Sequence, residues 1–218
     1  MPKRFVLLIF DWDGTLMDSA GVIVQSIQAA CADLGWPVPS REAASHIIGL
    51  GLKEAVADLF PELPASEHPR LVERYRHHFL SQDHAIPLFE GARELVEEMH
   101  ARGHTLAVAT GKARLGLARA FEHTGLGGYF HATRTADVTF SKPHPAMILE
   151  LLDELMKAPE QALMIGDTSH DLEMARNAGV ASLAAGYGAH PGASLAEYGP
   201  LAICRDFGEL AKWLRANA

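Results

Sequence analysis

Phe5-Val6-Leu7-Leu8-Ile9 is an unbroken apolar run that leads into Phe10-Asp11-Trp12-Asp13-Gly14-Thr15. Such a run reads as a strand buried on both faces of a parallel sheet. From there to about residue 86 the periodicity is helical. Ile23, Ile27, Ala30, Cys31 and Leu34 recur at helical spacing up to Gly35. Further helices are predicted over 40–49, 51–59 and 66–80, the last with Leu71, Val72, Tyr75 and Phe79 on one face. No strand is expected among them.

After residue 86 strands and helices alternate. Helices are predicted over 90–102, 112–123, 145–155, 171–178 and 207–215, and strands over 105–110, 129–133, 162–165, 181–184 and 201–203. Alternation of this kind means βαβ units, right-handed crossovers and a parallel sheet. The expected fold is α/β, a Rossmann-like parallel core of residues 1–16 and 87–218. An all-helical insert, 17–86, follows the first strand and hangs over its carboxyl end, placed to act as a cap against water.

Asp11 and Asp13 stand two residues apart at that carboxyl end, where open α/β sheets bind ligands. Two buried, unpaired carboxylates would be costly, so a cation or a wet cleft is implied. Gly14 lets the backbone turn and approach a ligand, and Thr15 offers a hydroxyl. The strand ending at Ala109 runs into Thr110-Gly111-Lys112, and the strand ending at Ile165 into Gly166-Asp167-Thr168-Ser169-His170-Asp171. Ser141-Lys142-Pro143 supplies another cation. Taken singly, Asp167 reads as well as a turn residue, Asp171 as a first-turn helix acid and Lys142 as a solvated lysine. Arriving together and in this order, they suit Mg²⁺ on oxygen ligands, with Lys and Thr beside it for phosphate oxygens.

Bulk properties narrow the class. The 218 residues are 48% hydrophobic and 21% charged, ordinary for a soluble globular enzyme, with net charge −8. That balance argues against a nucleic-acid surface. No apolar stretch approaches membrane-spanning length, and the Met1-Pro2-Lys3-Arg4 start lacks the length and cleavage site of a secretory signal. Two distant cysteines, Cys31 and Cys204, read as buried thiols in a reducing compartment, so a cytoplasmic location is expected. Among the twelve histidines only His77 and His78 are adjacent, and neighbours on a helix point apart, so no second metal site is expected.

Asp11-Trp12-Asp13-Gly14-Thr15, Thr110-Gly111-Lys112, Lys142-Pro143 and Gly166-Asp167-Thr168-Ser169-His170-Asp171 resemble the four motifs of the haloacid dehalogenase-like hydrolase superfamily. Asp18-Ser19 and Gly49-Leu50-Gly51-Leu52 add a similarity to its phosphoglycolate phosphatase-like branch in subfamily IA. The resemblance implies Asp11 as nucleophile forming an aspartyl-phosphate, and Asp13 as general acid and base. It implies Mg²⁺ on Asp11, the Asp13 backbone carbonyl and Asp167, with Asp171 holding a metal-bound water or orienting Lys142. Lys142, Thr110 and Gly111 would position the phosphoryl group, with the Trp12 amide in contact with it. The implied partner is a small phosphorylated metabolite such as phosphoglycolate or a sugar phosphate. The cap residues Ile47, Gly49, Leu50, Gly51 and Lys53 are the candidates for specificity, although Lys53 taken singly reads as a solvent-facing residue of the cap helix.

The rivals are a β-phosphoglucomutase-like mutase, a pyrophosphatase or phosphonoacetaldehyde hydrolase-like member, and an inactive metal-binding regulatory domain. Asp13 argues against a dehalogenase, and the intact motif set against the inactive domain.

Overall fold

The computed structural model describes residues 4–218; Met1-Pro2-Lys3 lie outside the described residues. β1 (Leu7–Phe10), β2 (Thr105–Thr110), β3 (Ala132–Thr135), β4 (Ala162–Gly166), β5 (Ala181–Ala185) and β6 (Ile203–Cys204) form one sheet. Its order is β3-β2-β1-β4-β5-β6, and every pair is parallel. The chain winds outward from β1 on one side and from β4 on the other. The order therefore reverses beside β1, and a crevice opens at the strands' carboxyl ends there.

Alternation along β1 divides the core. Leu7 and Ile9 pack with Met147, Ile148 and Leu151 of one helix (Ala146–Glu154) and Met174 of another (Ser169–Asn177). Leu8 and Phe10 face the opposite layer, with Leu95 and Met99 of a helix over Ala92–Ala101, Leu117 of Arg114–Thr124 and Leu214 of Phe207–Asn217. All four strand residues are fully buried, as a run without polar interruption requires.

In chain order the helices are α1 (Ala20–Leu34), α2 (Arg41–His46), α3 (Leu52–Leu59), α4 (His68–Leu80), α5 (Ala92–Ala101), α6 (Arg114–Thr124), α7 (Ala146–Glu154), α8 (Ser169–Asn177), α9 (Gly192–Leu195) and α10 (Phe207–Asn217). α1 ends in a left-handed Gly35, whose N–H and that of Trp36 take up the carbonyls of Ala32 and Cys31. Ser40 caps α2 through the Ala43 N–H. The segment α1–α4 leaves and rejoins the core along one paired crossing: Asp18 N–H donates to Pro87 at 3.0 Å and Phe89 N–H to Leu16 at 3.0 Å.

Some boundaries differ from the sequence expectation for local reasons. The helix predicted over 40–49 stops at His46, and the chain turns through Gly49 at φ +94°. The strand predicted over 129–133 begins at Ala132, because Gly127–Tyr129 winds a 3₁₀ turn. The helix predicted from Asp171 begins at Ser169. Thr168 is its N-cap and Asp171 its N3 residue, in a reciprocal capping box. The last strand is Ile203–Cys204 rather than 201–203. α9 had no counterpart in the sequence reading. Both cysteines are buried free thiols. Among the described residues no helix is long and apolar enough to cross a membrane.

Candidate active site

β1 carries Asp11 to the crevice. Its N–H extends the ladder to Ile165 at 2.8 Å, and its carboxylate is fully buried. β4 brings Asp167 and the α8 cap brings Asp171. Each of Asp11, Asp167 and Asp171 places one carboxylate oxygen within 4.8 Å of the others'. Lys142 enters from the loop before α7, its Nζ 2.8 Å from Asp11 Oδ1 and 2.6 Å from Asp171 Oδ1. These are ion-pair distances without hydrogen-bond alignment, and Asp11 Oδ2 has no protein partner. Asp171 is held by its other oxygen, which accepts from the Thr168 N–H at 3.1 Å and hydroxyl at 2.7 Å. Asp167 accepts from Thr15 Oγ1 at 2.9 Å and from the Ala189 N–H at 2.7 Å. Gly14, at φ +78°, lets the motif loop pass this carboxylate; a Cβ there would lie 2.1 Å from Asp167 Oδ2.

Charge follows from burial. Ionised together, three buried carboxylates against one buried ammonium would leave two negative charges, which burial resists by favouring the protonated acids. Burial raises the Asp11 pKa to about 7; Lys142 opposes the rise and Asp171 adds to it. Burial also lifts Asp167 well above the carboxylate range, with Asp11 and Asp171 adding to the effect. Burial works against the charge on Lys142, but Asp11 and Asp171 outweigh it and hold its pKa above the lysine range. An all-oxygen donor set, an orphaned buried Asp11 Oδ2 and a deficit of two positive charges fit a hard divalent cation such as Mg²⁺.

Asp13 belongs to a second pair. Its Oδ1 accepts from Ser19 Oγ at 2.7 Å, and both its oxygens accept from Lys112 Nζ at 2.8 Å. Its carboxylate therefore stands apart from the three-acid cluster. Lys112 Nζ also lies 4.8 Å from the centre of the Phe79 ring on α4. Thr110 and Gly111 line the cavity above Asp11, and Thr110 Oγ1 accepts from the Lys112 N–H at 3.2 Å. The Trp12 ring is fully buried edge-on to Phe121 and Phe130, which leaves only its main-chain amide for a phosphate.

Of the cap candidates, Ile47, Gly49 and Leu50 line the cavity. Gly51 does not; its N–H donates to Ser141 Oγ at 2.8 Å, tying the loop before α3 to the loop before α7. Lys53 is exposed on α3 and outside the cavity lining, as its reading as a solvent-facing helix residue expects, because the apolar side of that short helix turns inward. Sequence reasoning quoted Lys112 and Ser19 without assigning them to Asp13. Ile23, Ile27 and Tyr75 belong to the apolar helix faces the periodicity predicts, and all three also line the cavity.

A family model described as haloacid dehalogenase-like hydrolase matches residues 8–185. The chain is 34% identical over 218 residues to a 5'-nucleotidase of Pseudomonas aeruginosa, covering 98% of this chain and 97% of that protein. It is 31% identical over 222 residues to a phosphoglycolate phosphatase of Aliivibrio fischeri, covering 95% of each. A hydrolase structure from Pseudomonas syringae superposes at a TM-score of 0.90 over 98% of this chain and 99% of that one, at 24% identity, a likeness of fold.

Proposed function

This chain belongs to the haloacid dehalogenase-like hydrolase family, and we propose that it is a Mg²⁺-dependent phosphatase acting on a small phosphomonoester through an aspartyl-phosphate. The observation that carries this reading is Asp11. Its carboxylate is fully buried at the switch point, has one oxygen without a protein partner, and sits among Lys142, Asp167 and Asp171.

Asp11, Asp167 and the Asp13 carbonyl would hold Mg²⁺, with Asp171 orienting Lys142. The ion would neutralise charge on the carboxylates and on the phosphoryl oxygens. Asp11 attacks phosphorus in line; the new bond joins its carboxylate oxygen to phosphorus as the bond to the leaving oxygen breaks. Asp13 gives that oxygen a proton, so the alcohol departs neutral. It then takes a proton from the water that attacks the aspartyl-phosphate, which releases inorganic phosphate and restores Asp11. Lys142 and Thr110 neutralise and place the non-bridging oxygens, the kind of assistance phosphoryl transfer needs most. Residues 17–86 act as the cap over this chemistry.

The test is phosphate release from a panel of phosphomonoesters, phosphonoacetaldehyde and pyrophosphate, with Mg²⁺ and with EDTA. Turnover that requires the metal and disappears in Asp11→Asn supports the proposal. Silence across the panel from folded, Mg²⁺-binding protein overturns it.

A further inference from the structure

Above Asp11 and Asp13 a cavity of about 410 Å³ continues upward between α1, α3 and α4. Its walls there include Ile23 and Ile27 of α1, Val56 of α3, and Leu71, Val72 and Phe79 of α4. Ile23 and Phe79 keep 8% of their surface exposed and Ile27 and Val56 keep 6%, against 0% for Leu8 and Phe10 in the sheet. The cap's apolar faces thus meet across open space that is continuous with the catalytic floor.

Polar groups in this lining are already engaged or stand at the edge. Lys112 is paired with Asp13. Arg119 lies at the exposed rim, 3.2 Å from Asp83. Asp137 accepts from Thr135 Oγ1 and the Arg114 N–H. Arg76 is exposed at the surface of α4. Among the described residues that leaves the Tyr75 hydroxyl as the one side-chain polar group set within the apolar wall, with the Arg76 guanidinium at its outer edge. A carboxylate or a polyhydroxylated sugar placed here would give up its water for aliphatic side chains without compensating partners. An apolar group would gain by the same transfer.

Resting on the phosphatase reading, we propose that the substrate is a phosphomonoester of an apolar alcohol, its charge confined to the phosphoryl group. The leaving group is aliphatic or aromatic and fills the space between α1, α3 and α4. It carries at most one hydrogen-bonding group, met by Tyr75. The cavity volume lies within the range of small-ligand pockets, so the apolar part is larger than a two-carbon unit.

The test uses non-hydrolysable probes first. Binding of n-alkylphosphonates from methyl to hexyl is measured by calorimetry with Mg²⁺ present, alongside phosphonoacetate. Affinity is expected to tighten about fourfold per methylene, with hexylphosphonate well ahead of phosphonoacetate. Val56→Thr, which keeps the side-chain shape and adds a hydroxyl, is expected to flatten that slope. The same series as phosphate esters, whose leaving groups are of similar basicity, is then assayed for turnover. Affinity that is flat with chain length, or phosphonoacetate bound more tightly than hexylphosphonate, overturns the proposal. A rising slope without hydrolysis of any ester keeps the apolar site and overturns the phosphatase reading. Rapid hydrolysis of phosphoglycolate or a nucleoside monophosphate with a flat slope does the reverse.

Discussion

Gly111 lies so close beneath Gly49 that a Cβ at position 111 would come within 2.4 Å of the Gly49 carbonyl oxygen and 2.5 Å of that of Leu50. The cap loop and the loop after β2 therefore meet backbone to backbone. Gly51 reinforces the contact through Ser141. A side chain at 111 has no flexible neighbour to push aside, so the cap must lift. Overpacking of this kind costs about 2 kcal/mol, and Gly111→Ala is expected to lower kcat/KM about 30-fold. The melting temperature should fall by roughly 4–8 °C at most, and by less where the loop lifts to relieve the contact. Unchanged kinetics would mean that the cap works without this contact.

Asp13 offers a sharper separation of roles. Its carboxylate is engaged by Lys112 and Ser19 rather than aimed at Asp11, Asp167 and Asp171. Asp13→Asn keeps the main-chain carbonyl and removes the proton carrier. Turnover is expected to fall by about 10² or more, while Mg²⁺ affinity measured by calorimetry stays within about threefold of wild type, since no metal-facing carboxylate is lost. Collapse of Mg²⁺ binding in this variant would place the Asp13 carboxylate on the ion.

Much of this constellation was legible because strand ends declare themselves. A buried apolar run that stops at Asp11, or at Gly166-Asp167, leaves little choice of where the acid goes. The pairing of Asp13 with Lys112 was not legible, since 99 residues separate them and only the packing of β2 beside β1 brings them together. The α4 stripe of Leu71, Val72, Tyr75 and Phe79 was read correctly as one apolar face. Helical periodicity says that such a face avoids water, but not whether protein or ligand covers it. Lys53 shows how short the reach of such a stretch is: Gly49, Leu50 and Leu52 line the cavity, and one further step along α3 turns to solvent.

The carboxylate cluster predicts a particular pH dependence. With its pKa raised from 3.8 to about 7, Asp11 binds a proton in the metal-free fold that the unfolded chain has already lost. Its contribution to stability is full below about pH 4 and is lost as pH rises through 7. The stability of metal-free wild type relative to Asp11→Asn, whose side chain never ionises, should therefore decline between pH 4 and 8. Mg²⁺ must displace that proton at low pH, so its affinity is expected to weaken as pH falls below 7. Thermal melts with and without Mg²⁺ read both trends, and a metal-induced gain that is independent of pH would contradict them.

On the far side of the cleft, His46 at the end of α2 meets His170 of α8 and His190 beyond β5. The His46 carbonyl lies 2.7 Å from His170 Nε2 and 3.0 Å from His190 Nε2. His190 Nδ1 accepts from the Ser169 N–H at 3.1 Å, so its proton sits on Nε2 and is donated to the cap. Burial holds both imidazoles below their ordinary 6.5, more strongly than the His46 carbonyl raises them. The folded ring thus refuses a proton that the unfolded one accepts. The His190 contribution is full above pH 6.5 and is lost as pH falls through the lowered folded value. His190→Ala removes one donor to the cap and one acceptor for Ser169, a cost of about 2 kcal/mol at neutral pH, or roughly 4–8 °C in Tm for a chain of this size. The gap between wild type and variant should narrow below pH 6.5. A gap that widened instead would mean that His190 carries its charge in the folded protein and binds the cap as a cation.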